Sequence, residues 1–231
     1  MSGIYIKKGN SLNNVSIYKK TSTGYVSCPI YRKTSTGMER IDLGGGSTGG
    51  GTQPSPSSNI IKGYADWSGS YRSSSTTGTF TDNFNDDRRD RVYQGYYPNF
   101  NYLGVICFKS LFEQARQLGT ITSVKLKLTN LHSYYYAGLN TIISGATNMN
   151  NYRPTSFSMN NVNSTQYCSS THFDKGGVLT LTLNDTAIQS IQNGTIDGFR
   201  LLAPSGFAIT DYGYFSGTGT TRPYIEITVT L

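Results

Sequence analysis

The sequence predicts an all-β protein: a small N-terminal module of β repeats, a Gly/Ser/Pro linker, and a C-terminal β-sandwich of jelly-roll type with one or two short helices. Three observations carry this. Strict period-2 alternation of apolar and polar residues recurs along the second half of the chain. Glycine (26 of 231 residues) and tyrosine (18) are abundant, while charged residues make up only 14%. A 13-residue unit is repeated near the N-terminus. Polar, uncharged, tyrosine-rich composition suits strands joined by many turns. Disorder is the competing reading, and patterned aromatic and β-branched residues argue against it.

The repeat begins at Ile4, Ile17 and Ile30, reading IYIKKGNSLNNVS, IYKKTSTGYVSCP and IYRKTSTGMERID. Each copy joins a β-prone run to a stretch containing glycine (Gly9, Gly24, Gly37), and Gly24 and Gly37 follow Thr-Ser-Thr as expected φ > 0 turn positions. A unit this short forms a strand pair and cannot bury a core alone. Residues 1–43 are therefore predicted to be an anchoring segment that stacks on itself, on other subunits or on a partner, with Ile4, Tyr5, Ile17, Tyr18, Ile30 and Tyr31 as its assembly candidates. Residues 44–59 (GGGSTGGGTQPSPSSN) read as a flexible linker stiffened at its end by Pro54 and Pro56. Residues 60–231 read as one sandwich domain.

In that domain Val124, Leu126 and Leu128 alternate with Lys125, Lys127 and Thr129. Leu179, Leu181 and Leu183 alternate with Thr180 and Thr182, and Ile225, Ile227, Val229 and Leu231 with Glu226, Thr228 and Thr230. Alternation of this kind puts one face on a core and the other in water. Phe199, Leu201 and the run 102–108 add strand candidates. Two helices are predicted. Lys109–Leu118 places Leu111, Phe112, Ala115 and Leu118 on one face and stops at Gly119. Asp185–Gln192 starts after Asn184 as N-cap and ends at Asn193-Gly194.

Net charge is +7, unevenly spread. Residues 1–43 hold seven basic and two acidic groups, giving +5, and the other 188 hold 13 basic and 11 acidic, giving +2. Docking of the basic segment on an acidic protein surface and binding of nucleic acid are the two readings. Exposed strands also carry lysine simply to block edge pairing, and the expectation is no nucleic acid. Three cysteines at long spacings imply no disulfide framework. No signal peptide follows Met1 and no run approaches a membrane span, so synthesis in a cytoplasm, without a membrane, is expected.

A search for chemistry returns little. His132 and His172 sit in no metal-ligand spacing. Gly45-Gly46-Ser47-Thr48-Gly49 matches a nucleophile elbow only in letters, because it lies in the linker. No catalytic residue, metal ligand or cofactor is expected. The run 82–87 (DNFNDD) is rich in oxygen ligands, yet Arg88 stands where a calcium loop needs glycine, and Arg88, Arg89 and Arg91 would neutralise it. Asp197, Asp211 and Glu226 are the carboxylates a glycan depolymerase would need in pairs, and nothing in the sequence brings them together. The better lead is aromatic. Tyr134, Tyr135, Tyr136, Trp67, Tyr96 and Tyr97 are glycan-stacking candidates, set against the ordinary alternative that they pack in cores or interfaces.

The IY(K/R)KTSTG units resemble N-terminal repeats of small tail and capsid fibre proteins of phages infecting low-GC bacteria. Val92-Tyr93-Gln94-Gly95-Tyr96-Tyr97, Gly104–Phe108, the first helix and 121–128 (ITSVKLKL) resemble the opening half of carbohydrate-binding-module-like jelly rolls. The stretch 187–202, Tyr212-Gly213-Tyr214-Phe215 and 222–227 (RPYIEI) resemble the closing half. These likenesses imply a virion protein of a tailed bacteriophage, a capsid or tail fibre or decoration subunit. They imply other virion proteins as partners, a homo-oligomer with a trimer favoured, a host cell-surface glycan as ligand, and no enzymatic activity. A glycan-binding receptor-recognition module is the alternative.

Overall fold

The computed structural model describes residues 58–82, 84, 90–136, 138–204 and 206–231, together with the backbone of four short strands between 18 and 41. It divides into two units, Met1–Pro54 and Ser55–Leu231.

In the first unit, β1 (Tyr18–Thr21) pairs antiparallel with β2 (Gly24–Ser27), and β3 (Ile30–Thr34) with β4 (Gly37–Ile41). One copy of the repeat thus makes one hairpin. Gly24 and Gly37 open the return strands, paired with Thr21 and Thr34. Of the assembly candidates, Ile4, Tyr5 and Ile17 lie outside the described residues, as do the side chains of Tyr18, Ile30 and Tyr31.

The second unit is an all-β sandwich. Its first layer runs β15 (Val178–Thr182), β10 (Thr120–Ser133), β18 (Tyr224–Thr230), β5 (Ser58–Tyr64), all antiparallel. Its second runs β7 (Thr79–Thr81), β6 (Trp67–Ser73), β9 (Asn101–Cys107), β16 (Gly198–Leu202), β11 (Leu139–Ala146). β12 (Ser156–Ser158) adds to β7, while β13 (Val162–Gln166) and β14 (Thr171–Phe173) add to β11. Strand β5 begins at Ser58, within the stretch 44–59 read from composition as linker.

One side is closed by β8 (Val92–Tyr96) and β17 (Gly213–Phe215). β8 pairs with β9, and β17 bridges β8 to the last residues of β10. β10 is long enough to serve both layers because it is bulged between Asn130 and His132. The buried Asn130 side chain holds the bulge together. Its amide donates to the carbonyls of Phe173 and Asp174, and its oxygen accepts the N–H of His132.

The main core lies between the layers. Ile61, Val124, Leu126, Ile225, Ile227 and Val229 meet Val92, Ile106, Phe173, Phe199, Leu201 and Phe215. Helices α1 (Lys109–Leu118) and α2 (Asp185–Gln192) bury Phe112, Ala115, Ala187 and Ile191 in it. Asn184 caps α2 through Ala187 N–H at 3.0 Å. The first turn of α1 is served from a distance, by the Asp66 carboxylate on Ser110 N–H at 2.9 Å. Three expected core residues face water: Leu118 at the helix end (41% exposed), Leu179 on edge strand β15 (38%) and the terminal Leu231 (51%). Among the described residues no element packs over these three side chains.

The second layer is buried on both sides, and all seven residues of β9 are buried. A second apolar cluster lines its outer face, built from Tyr71, Phe80, Leu103, Val105, Met149 and Phe157.

Candidate functional site

Pairing between β10, β17 and β8 sets Phe215 beside Val92, both turned to the main core. Because side chains alternate along a strand, the next residues, Tyr214 and Tyr93, point outward as a pair, and Tyr214 is also paired with His132. The result is a row of packed rings across four strands, β10, β17, β8 and β9. His132 and Tyr214 lie 5.2 Å apart, Tyr214 and Tyr93 4.6 Å, and Tyr93 and Tyr102 of the neighbouring β9 5.1 Å. Phe84 stacks on Tyr93 and Tyr102 at 6.3 and 6.1 Å. Tyr212 stacks on Tyr93 at 5.8 Å and on Tyr97 at 4.8 Å.

Tyr212 reaches this position because β8 passes very close to residues 211–212. A Cβ on Gly95, whose φ is +82°, would lie 2.7 Å from both the Asp211 carbonyl oxygen and the Tyr212 nitrogen. Only glycine tolerates both that conformation and that approach. The buried Gln94 secures the same contact, its amide donating to the carbonyls of Asn140 and Asp211.

Two arginines border the rings. Arg91 lies 4.8 Å from the centre of Tyr214, and Arg72 lies 4.6 Å from Phe100 and 5.1 Å from Phe84. These are cation–π distances. Burial among the other rings pushes the Tyr93 hydroxyl up to about 12 and raises that of Tyr212 as well, so both are neutral donors at ordinary pH. Desolvation, with Lys175 and Arg91 nearby, holds His132 below its usual range.

The inner rings, Tyr93 and Tyr102, are buried; the rim is open to water, with Tyr97 41% and Tyr135 81% exposed. Tyr134 and Tyr135 form an edge-to-face pair at 4.3 Å, and Tyr134 N–H donates to the Tyr212 carbonyl. Of the sequence candidates, Tyr97 joins the face through its ring, and the Tyr134–Tyr135 pair is tied to it through the backbone of Tyr212. The side chain of Tyr136 is outside the described residues. Tyr96 is half-buried and its N–H donates to the Ala208 carbonyl. Trp67 stands apart, packed on the second apolar cluster with its indole N–H donated to Asn150 O at 2.7 Å.

Sequence reasoning missed Tyr93 and Tyr102, brought together by the local β8–β9 pairing, and their ring contacts with Tyr212 and Tyr214, which depend on pairing over a hundred residues of chain. It also missed an open groove of about 370 Å³ on the outer face of the first layer, lined by Tyr64, Lys127, Thr129, Val178, Arg222 and Tyr224. There Tyr64 and Tyr224 meet edge to face at 5.2 Å and Arg222 lies 4.5 Å from the Tyr64 ring. Alternation along 224–231 carried a signal for Tyr224, since burial of Ile225 forces it outward.

Carboxylates considered for hydrolysis have separate occupations: Asp197 accepts Met149 N–H, and Glu226 pairs with Lys62 at 3.2 Å. In the run 82–87, Asp82 lies 3.2 Å from Arg153, and Asn83 and residues 85–89 are outside the described residues. No cluster of three or more metal-ligating side chains occurs among the described residues. No described helix is long and apolar enough to cross a membrane. Comparison of the chain with protein-family models and with curated proteins finds no match.

Proposed function

We propose that this chain is a virion structural protein of a tailed bacteriophage, a capsid or tail fibre or decoration subunit, whose sandwich attaches to host-surface glycan through its aromatic face. The observation that carries the attachment reading is the rim: exposed Tyr97 stacks on Tyr212 of a platform whose inner rings are fixed by packing, and exposed Tyr135 pairs with Tyr134, whose N–H is bonded to the Tyr212 carbonyl. Rigid, exposed π-faces bind sugar rings at small entropic cost, and neutral tyrosine hydroxyls and arginines supply the polar contacts. The repeat hairpins are assigned to assembly with other virion proteins, in a homo-oligomer, for which a trimer is favoured.

The test is binding of the full chain to purified wall glycan from low-GC bacteria. Tyr97→Ala combined with Tyr135→Ala should weaken saturable binding by about tenfold or more, the equivalent of ~1.4 kcal/mol. Unchanged affinity in the double variant would remove the aromatic face from consideration. Absence of binding by the intact chain, together with its presence on purified particles, would leave it a structural or decoration subunit.

A further inference from the structure

Strand β16 carries Phe199 and Leu201 into the main core, so Arg200 between them must face the other side of the second layer. There it is paired with Val105 on β9 and with Ser144 on β11. All three are buried: Arg200 is 6% exposed, Ser144 1%, and Val105 fully covered. Val105 offers no polar group. Among the described residues the ring near the guanidinium is Phe207, 5.9 Å away, which itself stacks on Phe80 at 5.7 Å.

Among the described residues no carboxylate pairs with Arg200 and no acceptor takes its hydrogens. Its Nε is sealed from water without a partner, and so is the Ser144 hydroxyl directly across the strand pair. A buried cation is ordinarily paired, and a buried hydroxyl ordinarily hydrogen-bonded. Here a guanidinium Nε–H and a hydroxyl are both left over, on paired residues of one sheet face. Burial lowers Arg200 to about 10, which still leaves it cationic at neutral pH. A neutral ligand would leave the charge uncompensated, whereas an oxyanion answers both groups. The planar guanidinium matches two oxygens of a carboxylate or phosphate, and the hydroxyl can donate to one of them.

We propose that Arg200 and Ser144 are the protein half of an oxyanion-binding site that takes a carboxylate or phosphate group. The Phe207 ring lies against the guanidinium. In a surface-exposed protein such a group arrives either on an acidic sugar or on a phosphodiester polymer. The site does not depend on the aromatic face, and loss of glycan binding in the Tyr97 and Tyr135 variants leaves it standing.

The experiment is thermal unfolding of the full chain in sodium phosphate and, separately, in sodium acetate, each against sodium chloride at matched ionic strength. A saturable rise in the midpoint is expected in the wild type, about 5 °C or more at ~100 times the dissociation constant. The rise should vanish in Arg200→Met and require several-fold more anion in Ser144→Ala. A response to phosphate alone identifies the phosphodiester source, and a response to acetate the acidic sugar. Should Arg200→Met fail to fold, the Arg200 Nε–Hε resonance of the wild type provides the second reading, and it should shift on phosphate or acetate titration. A midpoint insensitive to both anions, an equal rise in Arg200→Met, or a stationary Arg200 resonance would overturn the proposal.

Discussion

Arg153 and Arg200 border the same apolar cluster on the outer side of the second layer, and the chain treats them in opposite ways. Arg153 lies 5.5 Å from the ring of Tyr71, and its side chain is 10% exposed. Its terminal nitrogens donate to Ser70 O at 2.9 Å and lie 3.2 Å from Asp82 and 3.3 Å from Asp90. Arg200 is as deeply buried, and among the described residues neither a carboxylate nor a carbonyl is paired with it. In both side chains Nε lacks an acceptor, so the difference rests on the terminal nitrogens and the charge. Asp82 Oδ1 is placed for charge attraction to Arg153 without hydrogen-bond alignment. The comparison teaches that burial alone does not define an arginine's role. Arg153 is consumed by the fold, tying the segment after β11 to residues 82 and 90. Arg200 contributes nothing comparable to the fold, and its charge stays available to a ligand.

The largest effect that could break this comparison is on Arg153. Arg153→Met removes a close cation from the nearly buried carboxylate of Asp82, and denaturant unfolding should show a loss of about 3–5 kcal/mol, the usual cost of removing one partner of a buried pair. A loss under ~1 kcal/mol would mean that Asp82 is hydrated and the two arginines are equivalent. Arg200→Met should go the other way. Without a multivalent anion present, replacing an uncompensated buried cation by an apolar side chain of similar length should leave stability unchanged or raise it by about 1 kcal/mol. A loss as large as that of Arg153→Met would show that Arg200 is already paired within the chain.

Much of the scaffold behind this contrast was legible in the residues, and the contrast itself was not. Both helices lie at the residues read from their patterns, because the apolar stripes, Gly119 and the Asn184 cap are local signals. Alternation at 124–128 and 225–229 likewise gave the inner face of the first layer, since one sheet face in water leaves a period-2 record. The second layer has no such record, being covered on both sides. In Gly198-Phe199-Arg200-Leu201 the alternation alone would put Arg200 in solvent. It is buried because other parts of the chain cover that face, and no local pattern announces such a covering. The cap of α1 was hidden for the same reason, Asp66 being 44 residues from Ser110. So was the aromatic face, in which Tyr93, Tyr102, Tyr212 and Tyr214 converge through register between β8, β9 and β17.

His132 gives the smallest effect and sharpens the contrast from a third side. It is a cation-forming group in the aromatic face, stacked on Tyr214 and set edge-on to Tyr212, and the charges acting on it are Lys175 and Arg91. Desolvation lowers its pKa first, and the two positive neighbours lower it further. Arginine cannot shed its proton to escape such surroundings, but histidine can. The folded chain therefore binds this proton less tightly than the unfolded chain does. Its contribution to stability is complete above the unfolded value of about 6.5 and is lost progressively as pH falls through the folded-state value. Unfolding midpoints measured from pH 8 down to 5 should decline less in His132→Phe than in the wild type, and the His132 resonance should titrate below that of an unfolded peptide. An unchanged decline in His132→Phe, with a normal titration midpoint, would show that the aromatic face is hydrated. It would also confine costly desolvation of a cation to Arg200 and its sheet face.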